Sequence, residues 1–408
     1  MLQPRSAYLH IPFCHRRCFY CDFAVVPLGD HADGASSGSI AAYLELIEAE
    51  IDGATAGAPL STVYLGGGTP SLLTPAQVGR LLVALARRFR IAPGAEISLE
   101  LDPASFDQGR LAGYLAAGIN RVSLGGQSFD DTVLARLGRR HRRRDLLEAA
   151  GWLRQARSAG ALRSWSLDLI QGLPEQTLGL WGQQLEQALD LAPPHLSIYD
   201  LTVEPGTVFE RLQAKGQLPL PDPDQSADLM DLSAQRLRRA GYGHYEISNY
   251  ALPGHSARHN RVYWSGAGWW GFGLGATSAP YGRRLARPRT RAAYAAWLRE
   301  LQATAEPPID LNPAAAVPLP FDERLLVGLR RREGVNMAEL ASQQGMGPEE
   351  VDQLWELCAP FRDRGLLRIE GPRWRLSDPA GLALSNAVLR ELLAWWEQRV
   401  AAAAPASP

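Results

Sequence analysis

Three cysteines near the start of the 408-residue chain have the residue type and the spacing to bind a metal. Cys14, Cys18 and Cys21 are separated by three and then by two residues. Thiolates are soft ligands that suit zinc or iron–sulfur clusters, and a short loop can direct three of them at one centre. Neither His10 nor His15 stands at the usual offset for the fourth ligand of a structural zinc site. The spacing therefore favours a cluster with one open position, and a partial zinc knuckle or a reduced cysteine cluster is the alternative.

Polar or glycine-rich residues follow each of six predicted strands, and a helix follows each strand. We predict these strands at residues 6–12, 61–65, 96–101, 121–124, 164–170 and 196–201. After them come, in order, the cysteines, Gly66 to Ser71, Glu100 with Asp102, Gln127 with Ser128, Gln171 with Gly172, and Asp200. Because the chemistry of parallel barrels lies at the C-terminal ends of the strands, we expect these residues to share one rim. The pattern predicts an α/β fold, an incomplete (β/α)6 barrel.

The sequence pattern divides the chain into four predicted segments. We predict the barrel at residues 1–218, then a linker, a helix at 225–240 and an aromatic and histidine-rich region within 219–310. A smaller α+β domain with a hairpin and a winged-helix-like pattern is predicted at 311–400, followed by a disordered tail at 401–408. Ser39 is the expected N-cap of the first helix.

Charge and hydropathy argue against several classes of function. The chain has 42 Lys and Arg against 43 Asp and Glu, so no overall field favours nucleic acid or an anionic membrane. The arginine-rich run at 139–144 is more typical of a solvated helix end than of a nucleic-acid site. No stretch approaches the roughly 20 apolar residues of a membrane span, and no signal peptide is apparent, so we predict a cytoplasmic protein. Cys358 is expected to be a small core residue.

The cysteine motif, with Tyr20 before Cys21, resembles the signature of the radical S-adenosylmethionine (SAM) superfamily. The resemblance implies a [4Fe–4S] cluster on the three cysteines, with SAM on the fourth iron. An electron from the cluster would cleave SAM to a 5′-deoxyadenosyl radical. The implied SAM site consists of eight residues: Tyr8, Tyr20, Gly67, Gly68, Thr69, Glu100, Gln127 and Asp168.

Two details qualify this site. Asp102 stands where the family pattern Glu-x-Asn-Pro has asparagine, and family likeness around the arginine run covers only 137–141. On the glycines alone, a tight strand-to-helix turn is the alternative interpretation.

The stretches Tyr245-Glu-Ile-Ser-Asn249 and His259-Asn-x-x-Tyr-Trp264 resemble the HemW family of haem chaperones, relatives of the oxygen-independent coproporphyrinogen III dehydrogenases (HemN). The resemblance implies haem binding by His259, Asn260, Tyr263 and Trp264, with His244 and His255 as weaker alternatives. Without this resemblance, a lone loop histidine is more often a residue that hydrogen-bonds to the backbone. Five arginines could neutralise haem propionates or form a solvated basic loop: Arg283, Arg284, Arg287, Arg289 and Arg291.

Two differences from the dehydrogenase pattern favour the chaperone. The dehydrogenases have a fourth cysteine where this chain has Phe23, and the first strand starts too early for their longer N-terminal segment. One departure from the chaperone pattern is Thr277, where the family often has histidine. We therefore predict a chaperone that binds a [4Fe–4S] cluster, SAM and haem, with no catalytic residue assigned. It would deliver haem to respiratory enzymes or membrane-associated clients, with peripheral membrane contact during delivery, as a monomer or homodimer.

Two alternatives remain open. One is an enzyme that oxidatively decarboxylates coproporphyrinogen III. The other is a radical SAM enzyme that modifies RNA, for which the sequence offers no RNA-binding module, and we expect no nucleic-acid partner.

Overall fold

The computed structural model describes residues 3–30, 32–304 and 311–403. Its strands are β1 Ser6–Ile11, β2 Phe13–Cys14, β3 Val26–Pro27, β4 Leu60–Gly67, β5 Ile91–Leu101, β6 Arg121–Gln127, β7 Ser164–Gln171, β8 His195–Asp200, β9 Gly243–Glu246, β10 Asn249–Ala251, β11 Trp270–Phe272, β12 Thr277–Ser278, β13 Leu285–Ala286, β14 Val335–Asn336, β15 Leu367–Glu370 and β16 Arg373–Leu376. Its α-helices are α1 Gly38–Gly53, α2 Pro75–Phe89, α3 Gln108–Ala116, α4 Asp131–Arg136, α5 Arg143–Ser158, α6 Leu178–Asp190, α7 Val208–Ala214, α8 Pro223–Arg239, α9 Arg258–Ser265, α10 Arg291–Ala303, α11 Phe321–Gly328, α12 Met337–Gln343, α13 Pro348–Leu357, α14 Ala359–Asp363, α15 Ala380–Ala383 and α16 Ser385–Ala403.

A nine-stranded sheet organises the larger part of the molecule, in the order β11-β1-β4-β5-β6-β7-β8-β10-β9. The six strands from β1 to β8 in this order run parallel, and helices connect them, which confirms the predicted incomplete barrel. β11 adds to β1 in parallel, and β10 adds to β8 in antiparallel. Within the described part of the chain, β9 and β11 are the edges of this sheet, so the barrel is open on one side.

The barrel strands alternate between an apolar and a polar face. On β4, Val63 and Leu65 belong to the hydrophobic core. The residues between and beside them, Thr62 and Tyr64, hydrogen-bond to other polar side chains instead. Because successive strand residues point to opposite faces, this period of two separates the core from a polar interior. The interior of the barrel is therefore lined with hydrogen-bonding groups that reach the C-terminal ends of the strands.

Helix starts follow local capping chemistry. Thr74 and Gln77 form a capping box at the start of α2, with Pro75 in the first turn. The first helix begins earlier than expected, because the Ser37 side chain, not that of Ser39, accepts from the backbone N–H of Ile40.

Of the region predicted at 219–310, the structure describes residues 219–304, and part of it packs on the barrel. Its aromatic and histidine-rich part supplies β9, β10 and β11 to the two edges of the sheet. These strands are not evident from the sequence, because at three or four residues each they carry little period-two signal.

The C-terminal part has a separate hydrophobic core, formed by α11 to α16 and the three-stranded sheet β14-β16-β15. β15 and β16 form the predicted hairpin, and Cys358 is fully buried in this core, as expected. The predicted tail lies mostly outside the described residues, while α16 continues to Ala403. No helix among the described segments is long and apolar enough to cross a membrane.

Candidate functional site

A cavity of about 380 Å³ lies at the C-terminal ends of the barrel strands. Residues at the C-terminal ends of all six parallel strands line it, so most of the rim that the sequence predicts is brought together. Ser128, Gln171 and Gly172, which the sequence also predicts at this rim, are not among the lining residues. Its lining includes Cys14, Cys18, Tyr20, Cys21, Gly67, Gly68, Thr69, Glu100, Asp102, Ser123, Gln127, Arg139, Arg140, Asp168, Tyr199 and Asp200. Seven of the eight predicted SAM residues are thus brought together, and Tyr8 is not among the lining residues.

The cysteine loop is anchored at its base and open at its tip. β2 pairs with β3 and places Cys14 beside Pro27. All three cysteines are partly exposed and have free thiols. The Thr69 hydroxyl donates to Cys14 Sγ at 3.5 Å. Burial raises the pKa of the Cys14 thiol to about 12, so the metal-free thiol is protonated at neutral pH.

The donor set at this cavity fits a [4Fe–4S] cluster. Three thiols line one cavity, and three thiolates can each bind a different iron of the cluster and leave one iron open to a further ligand. The cysteine loop therefore supplies the ligands that the sequence predicts for the cluster.

Glycines at the C-terminal end of β4 let the backbone pack closely against the neighbouring strands, beside the cysteines. Gly67 has a φ of +118°, and a Cβ there would lie 2.6 Å from the His10 ring. A Cβ at Gly68 would lie 2.7 Å from the carbonyl oxygen of Phe13. Both positions require glycine, since any side chain would collide with the neighbouring strand.

Tyr8 affects the cavity indirectly, through His10. Its hydroxyl lies 2.9 Å from Nδ1 of His10, whose Nε2 donates to the Ala24 carbonyl at 2.8 Å. The ring of His10 is thereby fixed against Gly67. Tyr8 thus supports the wall of the cavity from outside it.

Glu100 joins the glycine turn to the barrel interior. Its carboxylate accepts from the Tyr64 hydroxyl at 2.8 Å and from the backbone N–H of Gly67 at 2.9 Å. Burial raises its pKa to about 7, with a smaller contribution from nearby Asp168. Its charge therefore changes near neutral pH.

Two further predicted SAM residues are Asp168 on β7 and Gln127 at the end of β6. Asp168 accepts from the Ser123 hydroxyl at 2.7 Å and from the Ser166 hydroxyl at 3.2 Å, and burial raises its pKa. Gln127 has a φ of 57°, and its side-chain oxygen is buried with no hydrogen-bond partner. A buried acceptor without a donor is costly for the protein alone, so it suits a donor supplied by a ligand.

Arg139 is the site residue that sequence reasoning missed. The prediction of a solvated run is right for Arg144, whose side chain is 90% exposed, and wrong for Arg139, which is 13% exposed. Arg139 donates to Asp102 at 2.6 Å and to the Gly125 carbonyl at 3.2 Å. Although burial opposes it, the charge of Arg139 holds the pKa of Asp102 well below its usual value. The family-like segment 137–141 was the available signal.

The predicted haem residues lie apart from this cavity, on α9. His259 is buried, with Nδ1 2.8 Å from the Thr62 hydroxyl and Nε2 2.8 Å from the Tyr263 hydroxyl. Its ring stacks on Tyr64 at 5.2 Å. Asn260, Tyr263 and Trp264 are half-buried on the same helix. Both ring nitrogens of His259 are thus engaged within the protein.

The weaker histidine candidates are also engaged. His244 lies 2.7 Å from Asp378 and stacks on Tyr250. His255 is half-buried, with Nδ1 3.0 Å from the Ser164 hydroxyl. Thr277 lies on the short strand β12, where its carbonyl accepts from the Trp269 indole.

The five arginines do not form one surface. Arg287 is buried in an ion pair with Glu50 at 2.8 Å, and Arg284 pairs with Glu323 at 2.6 Å. Arg289 donates to the backbone carbonyl of Asp22, while Arg283 and Arg291 are exposed.

A partial parallel barrel with three cysteines at its mouth defines a radical SAM protein. The model of the Radical SAM superfamily matches residues 8–182, and that of the HemN C-terminal domain matches residues 321–383. Membership of this superfamily implies a [4Fe–4S] cluster and SAM as cofactors.

Individual relatives identify the family within this superfamily. The chain is 41% identical to the haem chaperone HemW of Synechocystis sp., over 97% of this chain and 98% of that protein. It is 39% identical to HemW of Escherichia coli (strain K12), over 71% of this chain and 75% of that protein. The chain belongs to the HemW family of haem chaperones. Among solved structures, coproporphyrinogen III oxidase (HemN) from Escherichia coli has the same fold, with a TM-score of 0.76, 24% identity, and coverage of 96% of this chain and 90% of that chain.

Proposed function

We propose that this protein is a haem chaperone that binds a [4Fe–4S] cluster, SAM and haem, and delivers haem to respiratory haem proteins. One observation carries the proposal: the cysteine loop, the glycine turn and Glu100 share one cavity in a chain that matches HemW proteins over nearly its whole length. Delivery to such clients, from the cytoplasm and with peripheral membrane contact, is part of the proposal.

The cavity residues have distinct roles in this proposal. Cys14, Cys18 and Cys21 hold the cluster, which when bound supplies the electron for reductive chemistry at the SAM sulfonium. Gly67, Gly68 and Thr69 present backbone groups to SAM, and Glu100, Gln127 and Asp168 orient its polar groups. Tyr20 closes one side and Tyr8 keeps His10 in place behind the turn.

For haem, we propose that α9 carries the site and that His259 ligates the iron. Burial lowers the pKa of His259 to about 3, so its imidazole is neutral at pH 7, which is the form that binds iron. Because Thr62 and Tyr263 occupy both ring nitrogens, ligation requires the Tyr263 hydrogen bond to open. Tyr263 and Trp264 then offer flat apolar surfaces to the porphyrin.

Haem titration under anaerobic conditions tests this site. We expect the Soret band of the complex to be shifted or lost in His259→Ala. Tyr263→Phe keeps the ring but frees Nε2 of His259, so it should bind haem at least as tightly as the wild type. The half-buried His255→Ala serves as the control and should match the wild type. An unchanged spectrum in His259→Ala would exclude this ligand.

Two assays test the rest of the proposal. The ultraviolet–visible spectrum of anaerobically reconstituted protein should show iron–sulfur absorption that is absent from the Cys14/Cys18/Cys21 triple alanine variant. With SAM and coproporphyrinogen III, the reconstituted protein should form no protoporphyrinogen. Protoporphyrinogen formation would favour the dehydrogenase instead.

A further inference from the structure

One guanidinium in the cavity touches both a carboxylate and a cysteine sulfur. Nη2 of Arg139 donates to Asp102 at 2.6 Å, and Nη1 lies 3.7 Å from Cys18 Sγ. The Gly125 carbonyl accepts from Nη2 at 3.2 Å. These contacts fix the plane of the guanidinium between the C-terminal ends of β5 and β6 and the cysteine loop.

The contact with Cys18 has an electrostatic consequence. Arginine stays protonated in proteins, so Arg139 places a permanent positive charge and an N–H donor at this sulfur. Its side chain is 13% exposed, so solvent screens that charge only weakly. Hydrogen bonds to the sulfurs and nearby net charge are two of the features that set the reduction potential of iron–sulfur clusters.

We propose that Arg139 raises the reduction potential of the cluster through Cys18, and that Asp102 is a positioning residue that holds Arg139 there and partly offsets its charge. The inference rests on the proposed cluster. A reduced cluster carries one more negative charge than an oxidised one, so a fixed cation beside a ligand sulfur favours the reduced form. Asp102 is the position where this chain departs from the asparagine of the family pattern, so the offset depends on a residue of this chain.

Arg140 offers a matched comparison. It is the next residue and also lines the cavity, but its side chain is 29% exposed and faces Asp30 at 3.7 Å. Its side chain makes no hydrogen bond to a cysteine sulfur in the described residues. Loss of the Arg140 charge therefore removes a cation from the same cavity but leaves the hydrogen bond to the Cys18 sulfur in place.

The test is the midpoint potential of the reconstituted cluster, measured without SAM by a redox titration followed by electron paramagnetic resonance. We expect R139Q to shift the potential to more negative values, and R140Q to shift it much less. D102N keeps an acceptor for Arg139 but removes the opposing charge, so it should shift the potential to more positive values. R139K keeps the charge without the planar fork and should lie between R139Q and the wild type.

Each outcome decides the proposal. Equal shifts in R139Q and R140Q, or no shift in R139Q, would overturn it. If R139Q assembles no cluster, by iron content, then R139K and D102N decide, and a D102N potential at or below that of the wild type would overturn the proposal. If the wild type itself assembles no cluster, the proposed function fails instead, so the two failures are distinguishable.

Discussion

At the scale of single residues, Glu100 shows how the site makes stability depend on pH. Its carboxylate lies between the Tyr64 hydroxyl and the Gly67 N–H, and burial raises its pKa from 4.5 to about 7. The folded protein therefore holds a proton that the unfolded chain has released between these values. This stabilisation is complete below about pH 4.5 and is lost as the pH rises through 7.

We therefore expect the free energy of unfolding of the wild type, relative to Glu100→Gln, to fall as the pH rises from 5 to 8. The fall should reach at most about 3 kcal/mol, because one pKa unit corresponds to about 1.4 kcal/mol. Urea denaturation of both proteins across this range measures it. A difference that stays constant with pH would show that Glu100 is ionised throughout.

Residue types predicted much of the site, and one exception is instructive. Cysteine spacing and glycine runs have few structural explanations, so Cys14, Gly67 and their neighbours could be selected from the sequence. Arg139 was not selected, because arginine runs are usually solvated and its signal was limited to the family-like segment 137–141. The fold turns this side chain inward, beside Asp102.

At the scale of elements, the loop between β13 and α10 is held by a buried ion pair. Arg287 and Glu50 are 1% and 3% exposed, and Glu50 also accepts from the Tyr294 hydroxyl and the Gly273 N–H. The pair joins this loop to α1. Breaking it leaves a buried carboxylate without its cation, which is costly.

We expect Arg287→Ala to lower the free energy of unfolding by about 3 kcal/mol or more. Arg284→Ala, just before β13, removes an ion pair whose arginine side chain is 45% exposed. Its cost should stay below about 1 kcal/mol. Chemical denaturation of the two variants measures the contrast, and equal losses would show that burial does not govern these pairs.

At the scale of the whole molecule, polar pairs join the barrel to the C-terminal part. His244 on β9 lies 2.7 Å from Asp378, which also accepts from Arg238 on α8 at 3.1 Å. Burial works to raise the pKa of Asp378, but the hydrogen bond to His244 and the nearby Arg238 guanidinium keep it below its usual value. This contribution to stability is present at neutral pH and is lost in acid, as the pH falls through the lowered pKa.

We expect Asp378→Ala to lower the free energy of unfolding at pH 7 by about 1–3 kcal/mol, because it leaves the buried His244 without this partner. Arg238→Ala removes only the exposed cation and should cost about 1 kcal/mol or less. Thermal unfolding at pH 7 and in acid tests both. If the Asp378→Ala deficit stays the same below about pH 4, then the pair does not act through its charge.

The six βα units, most of the polar rim and the cysteine motif could be predicted from the sequence, because each is encoded in short-range periodicity or spacing. The contacts of the folded chain were needed to show that β9 to β11 complete the edges of the sheet, that His259 turns into the barrel against Thr62, and that Arg139 reaches Cys18. These contacts join residues far apart in the chain. Such pairings depend on which surfaces pack together, and no local pattern of residue types records that choice.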